Sequence, residues 1–117
     1  MLPKQYRLKK KSAFKATYKV KNSSHSGGVT LFAGILKKEN DLPTKVGFVV
    51  SKKVHKRAVK RNRLKRLMRE SYRLLLKEKN LGDSQKYMSL VFVGSDRALD
   101  KDFTEIKCSI KKILERI

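Results

Sequence analysis

The stretch from Lys52 to Glu70 reads Lys-Lys-Val-His-Lys-Arg-Ala-Val-Lys-Arg-Asn-Arg-Leu-Lys-Arg-Leu-Met-Arg-Glu. Ten of the eighteen residues from Lys52 to Arg69 are Lys or Arg and none is acidic. These side chains bind anions rather than break bonds: a guanidinium pairs bidentately with phosphate, and an ammonium acts as a point charge. Six of the ten precede Arg63, where a strand pattern gives way to a helical one. A helix start offers unpaired N–H groups and a partial positive charge, so basic residues crowded there make a phosphate-backbone site. A solvated helix face ordinarily mixes signs, yet Glu70 is the only acidic residue between Asp41 and Glu78. That one-sidedness favours nucleic acid over plain solvation.

Bond-breaking chemistry is hard to assemble from the rest. Ser23, His25 and Ser26 share a loop-like segment with no acidic orienter beside them, which argues against a nucleophilic triad. His25, His55 and Cys108 lack metal-ligand spacing. Asp41, Asp83, Asp96, Asp100, Asp102 and Glu105 read as turn and cap residues rather than a two-metal cluster. The expectation is no catalytic side chain and no protein-held metal.

Thirty-one basic against ten acidic residues leave a net charge of +21 on 117 residues. A chain of this length fits one domain, here residues 1–117. So much charge on so small a body calls for a polyanionic partner. No stretch approaches the roughly 18 apolar residues of a membrane span, and the N-terminus shows no signal-peptide pattern. With the single Cys108, these features suit a cytoplasmic protein with no membrane partner and no protein partner evident.

The elements that must position these residues follow from periodicity. Ser12 is the expected N-cap of a short helix on which Phe14 and Tyr18, four apart, share a face. Asn22 to Gly28 reads as a loop by composition. Val29 to Leu36 alternates as a strand, with Val29, Leu31, Ala33 and Ile35 on one face and Thr30, Phe32, Gly34 and Leu36 on the other. After a turn containing Asn40-Asp41 and Pro43, Val46 to Ser51 is a second strand; the two suggest an antiparallel hairpin. From Arg57 to Lys79 the period becomes helical, with a broad stripe through Leu64, Leu67, Met68, Ser71, Tyr72, Leu74 and Leu75. Asn62, Arg66, Arg69 and Arg73 lie opposite it. Gly82 is the expected C-cap. Tyr87 to Val93 is an almost uniformly apolar strand, as for one covered on both faces. Phe103 to Ile117 is an amphipathic helix. The order describes a small α+β domain with one sheet.

Ser51-Lys52-Lys53 followed by Ala58-Val59-Lys60-Arg61-Asn62-Arg63-Leu64-Lys65-Arg66-Leu67-Met68-Arg69-Glu70 resembles the Arg-Asn-Arg signature of the bacterial ribonuclease P protein family. Tyr6-Arg7-Leu8-Lys9, Phe14, Tyr18 and Val46-Gly47-Phe48-Val49-Val50-Ser51 extend the resemblance over roughly residues 6 to 80. It implies an α-β sandwich with one mixed sheet of about four strands, a long basic helix and a left-handed βαβ crossover. It implies a subunit of a ribozyme that removes the 5′ leader of precursor tRNA, catalysis and most of the Mg²⁺ belonging to the RNA. Lys52, Lys53, Arg57, Lys60, Arg61, Asn62, Arg63, Lys65, Arg66, Arg69 and Arg73 would then lie on the ribonuclease P RNA. Phe14, Tyr18 and Phe32, with Lys15 and Arg7, would form a cleft for the single-stranded leader of precursor tRNA.

Stacking on aromatics beside basic groups is how single-stranded RNA is gripped without sequence preference. Phe14 and Tyr18 at helical spacing equally suit plain packing of helix on sheet. The sequence departs from the family pattern in three places. His55-Lys56-Arg57 replaces a glycine-containing turn, Asn22 to Gly28 carries no arginine, and Gly94-Ser95-Asp96 lacks a basic residue. A structural RNA-binding protein of ribosomal type shares the size and charge and is the alternative reading.

Overall fold

The computed structural model describes residues 2–38, 42–82 and 84–117. Its elements are α1 (Lys11–Lys19), β1 (Asn22–Ser26), β2 (Val29–Ala33), β3 (Lys45–Val49), α2 (Ala58–Lys77), β4 (Ser89–Gly94) and α3 (Phe103–Arg116), with single 3₁₀ turns at Lys4–Tyr6, Ser84–Lys86 and Asp96–Ala98. The expected turn residues Asn40 and Asp41, and Asp83 beside Gly82, lie outside the described residues.

The sheet runs β1-β2-β4-β3. β4 is antiparallel to β2, with Leu31 opposite Phe92, and parallel to β3, with Phe48 opposite Phe92. The expected hairpin between β2 and β3 does not form. β4 has the apolar sequence that tolerates cover on both faces, Leu90, Val91 and Phe92 being fully buried, and it takes the place between them. The true hairpin joins β2 to β1, in the segment expected to be a loop. Gly27 and Gly28 both have positive φ, 58° and 88°, as a two-residue turn between twisted strands requires. Because β1 is Asn-Ser-Ser-His-Ser, its pairing leaves no hydrophobic alternation to read.

Each face of the sheet has its own cover. Val29, Leu31, Ala33, Val46, Leu90 and Phe92 are buried with Leu64, Met68, Tyr72 and Leu75 of α2 and Ile106, Ile110, Ile113 and Leu114 of α3. Phe48 stacks on Phe92 at 5.6 Å between ring centres, and Tyr72 closes the triangle. Burial pushes the Tyr72 phenol up to about 12, although the hydroxyl accepts a 2.9 Å hydrogen bond from Gln85 Nε2. The opposite face, carrying Thr30, Phe32, Gly47, Val49, Val91 and Val93, receives α1. β2 ends at Ala33, but main-chain pairing runs on along the segment before β4, Met88 N donating to Ile35 O and Leu36 bridging Tyr87, while the Ile35 and Leu36 side chains are 57% and 60% exposed.

Helix ends differ from expectation in two places. Lys10, not Ser12, is the N-cap of α1 and makes no side-chain cap; Ser12 lies inside the first turn. α2 stops at Lys77, before Gly82: Lys79 takes the left-handed conformation (φ 56°), and Asn80 N donates to Leu75 O and Lys79 N to Leu76 O. That pair of bonds is the Schellman stop, formed without glycine. At α3, Asp102 and Glu105 are indeed cap residues: Glu105 N donates to Asp102 Oδ1 at 2.9 Å, completing a capping box.

Candidate nucleic-acid interface

The strand-to-helix passage is built to expose cations. Lys52 and Lys53 are exposed in the turn after β3. Arg57, the N-cap of α2, donates its backbone N–H to His55 Nδ1 at 3.0 Å. His55 thereby closes a turn that the resemblance would give to glycine, a role that composition alone could not reveal.

The basic residues of α2 from Lys60 to Arg73, with Asn62 among them, fall into three groups. Lys60, Asn62 and Arg66 are exposed, and Val59, 78% exposed, stands among them. Arg61, Lys65 and Arg69, four apart, form a half-buried row along one flank. The Nε of Arg61 is buried and meets no hydrogen-bond partner among the described residues. Arg63 and Arg73 are bound by the protein itself, Arg63 by main-chain carbonyls and Arg73 by a partly exposed glutamate on the same helix. Arg63 Nη1 donates to Leu99 O at 2.9 Å and Nη2 to Lys101 O at 3.2 Å. Arg73 pairs with Glu70 at 3.0 Å, and this arginine holds the Glu70 carboxyl below its ordinary range. Of the face expected from Asn62, Arg66, Arg69 and Arg73, Asn62 and Arg66 are exposed, while Arg69 and Arg73 are half-buried and Arg73 is paired with Glu70.

The second surface lies on the α1 side of the sheet. Phe14 packs on Gly47, where any Cβ would collide with the Phe14 ring. Thr17, buried, donates to Ala13 O and meets Ser89 Oγ at 2.6 Å. Tyr18 meets Phe32 edge-on at 5.0 Å between centres, and burial raises its phenol. All three aromatics stay partly exposed, and Thr30, Val49 and Val93 form a half-buried floor on the same sheet face. Phe14 and Tyr18 thus pack on the sheet side and keep part of their surface open. Lys15 is exposed on α1. Arg7 sits elsewhere: its segment bridges the outer edge of β3, Leu8 N donating to Val46 O, and its Nε donates to Leu2 O. There it lines a cavity with Phe14, Phe48 and Arg69 that Tyr18 and Phe32 do not reach. The V-G-F alternation of β3 was the available sign that helix and strand approach closely at Gly47.

Comparisons with known proteins agree with one another. The family model described as ribonuclease P matches residues 2–117. The ribonuclease P protein component of Symbiobacterium thermophilum is 34% identical over 98% of this chain and 93% of its own length. That of Clostridioides difficile is 38% identical over 93% of this chain and 89% of its own. Among solved structures, the RNase P protein of Thermotoga maritima superposes with a TM-score of 0.76 at 22% identity, covering 95% of this chain and 99% of that one. The Staphylococcus aureus RNase P protein gives 0.73 at 24% identity, covering 97% and 95%.

Proposed function

The chain belongs to the ribonuclease P protein family, as a protein subunit of an endoribonuclease complex of tRNA 5′ processing with an RNA partner, and we propose that it serves that complex through two separate RNA surfaces. The exposed face of α2, with the loop before it, binds the ribonuclease P RNA through Lys52, Lys53, Arg57, Lys60, Asn62 and Arg66, with Arg61, Lys65 and Arg69 along its flank. The α1 cleft, with Phe14, Tyr18, Phe32 and Lys15, takes the single-stranded 5′ leader of precursor tRNA.

The observation that carries this reading is the placement of the two surfaces on opposite layers of one thin sandwich. α2 covers one face of the sheet, and the Tyr18–Phe32 pair lies on the other. A protein so built can hold two RNA elements at once and fix the distance between them, which is a positioning role. Its cations also offset part of the repulsion between substrate and RNA subunit.

Hydrolysis is assigned to the RNA, together with the Mg²⁺ that serves it. The described residues bring together no group of three or more His, Cys, Asp or Glu side chains that could hold a metal ion. A cytoplasmic setting accords with tRNA processing, and no helix among the described residues is long and apolar enough to cross a membrane.

The test compares affinities of the assembled complex for precursor tRNA with and without its leader. Tighter binding of the leader-bearing form, only when this chain is present, supports the proposal. Equal affinity for both forms would reduce the chain to a structural RNA-binding protein.

A further inference from the structure

Where α1 ends and β2 runs out, an open groove of about 500 Å³ is lined by Val20, Ile35, Leu36, Tyr87 and Lys86, among others. Val20, Ile35 and Leu36 are 39%, 57% and 60% exposed, and Met88, the main-chain partner of Ile35, is 39% exposed. Four of the six large apolar side chains exposed among the described residues therefore belong to this end of the sheet. Single apolar residues scattered over a surface are ordinary, whereas a cluster of them marks a contact site. We propose that this groove docks an acidic amphipathic helix of a partner protein, its apolar side chains on Val20, Ile35 and Leu36 and its carboxylates on the surrounding lysines.

Charge selects the sign of the partner. Val20 stands between Lys19 and Lys21, and Leu36 precedes Lys37 and Lys38; Lys19, Lys21, Lys38 and Lys86 are exposed. None of these lysines pairs with a carboxylate among the described residues, and no acidic side chain lines the groove. A segment carrying Asp or Glu beside an apolar face complements both features. A second copy of this chain is the poorest occupant, since it would bring its own net charge of +21 against the same lysines. RNA suits the lysines but not the floor. The one ring there, Tyr87, is only 9% exposed and has Lys86 Nζ 5.3 Å from its centre, so it leaves no open face for a base. Strand addition is disfavoured as well, because Gly34 N, Ile35 O and Lys37 N already bond to Ser89 O, Met88 N and Lys86 O. Side chains are what remain to be recognised, which is how an amphipathic helix binds a groove.

The groove is shaped before anything binds. Asn22 Nδ2 donates to the Tyr87 hydroxyl oxygen at 3.2 Å, which ties the start of β1 to the floor, and Lys21 holds the left-handed turn out of α1 (φ 59°). Binding then has little main chain to order. None of the lining residues belongs to either proposed RNA surface, so a partner docked there leaves the face of α2 and the aromatic cleft to RNA.

The test uses the whole protein and a helical peptide of alanine, leucine and glutamate whose leucines recur at spacings of three and four. A second peptide of the same composition, with its leucines shuffled round the helix, keeps the charge and loses the apolar face. Titrations followed by backbone amide chemical shifts should show saturable changes centred on Val20, Ile35, Leu36 and Tyr87. The patterned peptide should bind at least about tenfold more tightly than the shuffled one, since burial of one leucine suffices for that. Ile35→Ser combined with Leu36→Ser should leave Tm in place, both side chains being exposed, and should remove that advantage. Val20→Ser should reduce it from the other side of the groove, which keeps the proposal open to refutation if the double variant fails to fold. Equal binding of the two peptides, shifts spread along α2, or no binding would overturn the proposal. Oligouridylate that shifts the same residues and displaces the peptide would overturn it in favour of RNA. A concentration-dependent dimer that the Ile35 and Leu36 changes abolish would overturn it in favour of a second copy. Binding of leader-bearing precursor tRNA by the assembled complex should be the same with the double variant as with the wild type; a loss there would make the groove part of the leader cleft and also overturn the proposal.

Discussion

Arg63 is tied to Leu99: its Nη1 donates to that carbonyl at 2.9 Å while Nη2 reaches Lys101 O at 3.2 Å. The central signature helix is thereby locked to the segment leading into α3. Lys101 in turn donates from Nζ to Gly27 O at 2.8 Å, so the chain of bonds runs on to the β1–β2 turn. One residue of the Arg-Asn-Arg run thus holds the scaffold together, while Asn62 is exposed and Arg61 half-buried.

It follows that Arg63→Ala should cost stability more than RNA contact. Charge-assisted bonds to two carbonyls, partly exposed, make the loss about 2 kcal/mol, or a fall in Tm of roughly 5–10 °C. The salt dependence of RNA binding by the folded variant should stay as in the wild type. Thermal unfolding beside a salt titration checks both; an unshifted Tm with a flatter salt slope would make Arg63 a phosphate contact instead.

Arg66→Ala should behave in the opposite way. Arg66 is exposed on the solvent face of α2, so Tm should hardly move. Its loss should flatten the dependence of log affinity on log salt by roughly one unit if it neutralises one phosphate. An unchanged slope would take Arg66 off the RNA surface.

At the cleft, Tyr18→Leu keeps apolar cover for the sheet but removes the ring that meets Phe32. Binding of leader-bearing precursor by the assembled complex should weaken by about 1–3 kcal/mol, with leaderless tRNA unaffected. Equal losses for both RNAs would mean that Tyr18 serves the fold alone.

A further consequence concerns alkaline pH. Tyr72 is raised from 10.0 to about 12 in the folded chain, so between these values the unfolded state has lost a proton that the folded state retains. Stability contributed by keeping the phenol neutral is complete below pH 10 and is lost as pH rises towards 12. Tyr72→Phe should therefore show a shallower decline of Tm over that interval, measured by circular dichroism, whereas parallel profiles would contradict the burial argument.

The readable parts of this fold were those in which one element carries its own periodic signal. α2 and α3 announced themselves through Leu64-Met68-Tyr72-Leu75 and Ile106-Ile110-Ile113, and the apolar run at Leu90 marked a doubly covered strand. Strand pairing was not readable for β1, because Ser23, His25 and their neighbours gain their structure from main-chain bonds to β2 and bury little. Nor could local sequence show that β4 slips between β2 and β3, since that depends on which strand best tolerates two covered faces. At the site, charge density located the signature helix. The division of its arginines into outward and inward members needed the structure: Arg63 and Arg66 differ only in the side of the helix from which they project. The helical spacing of Phe14 and Tyr18 put both rings on the side of α1 that meets the sheet, while Arg7, grouped with them only through the family resemblance, lies at the β3 edge.

The most direct test of the central claim is cleavage of a leader-bearing precursor tRNA by a bacterial ribonuclease P RNA at low Mg²⁺, with and without this chain. The account predicts cleavage at the mature 5′ end when both are present, and none by the protein alone. Cleavage by the purified protein without RNA, or no gain when it is added to a well-folded matched RNA, would contradict it.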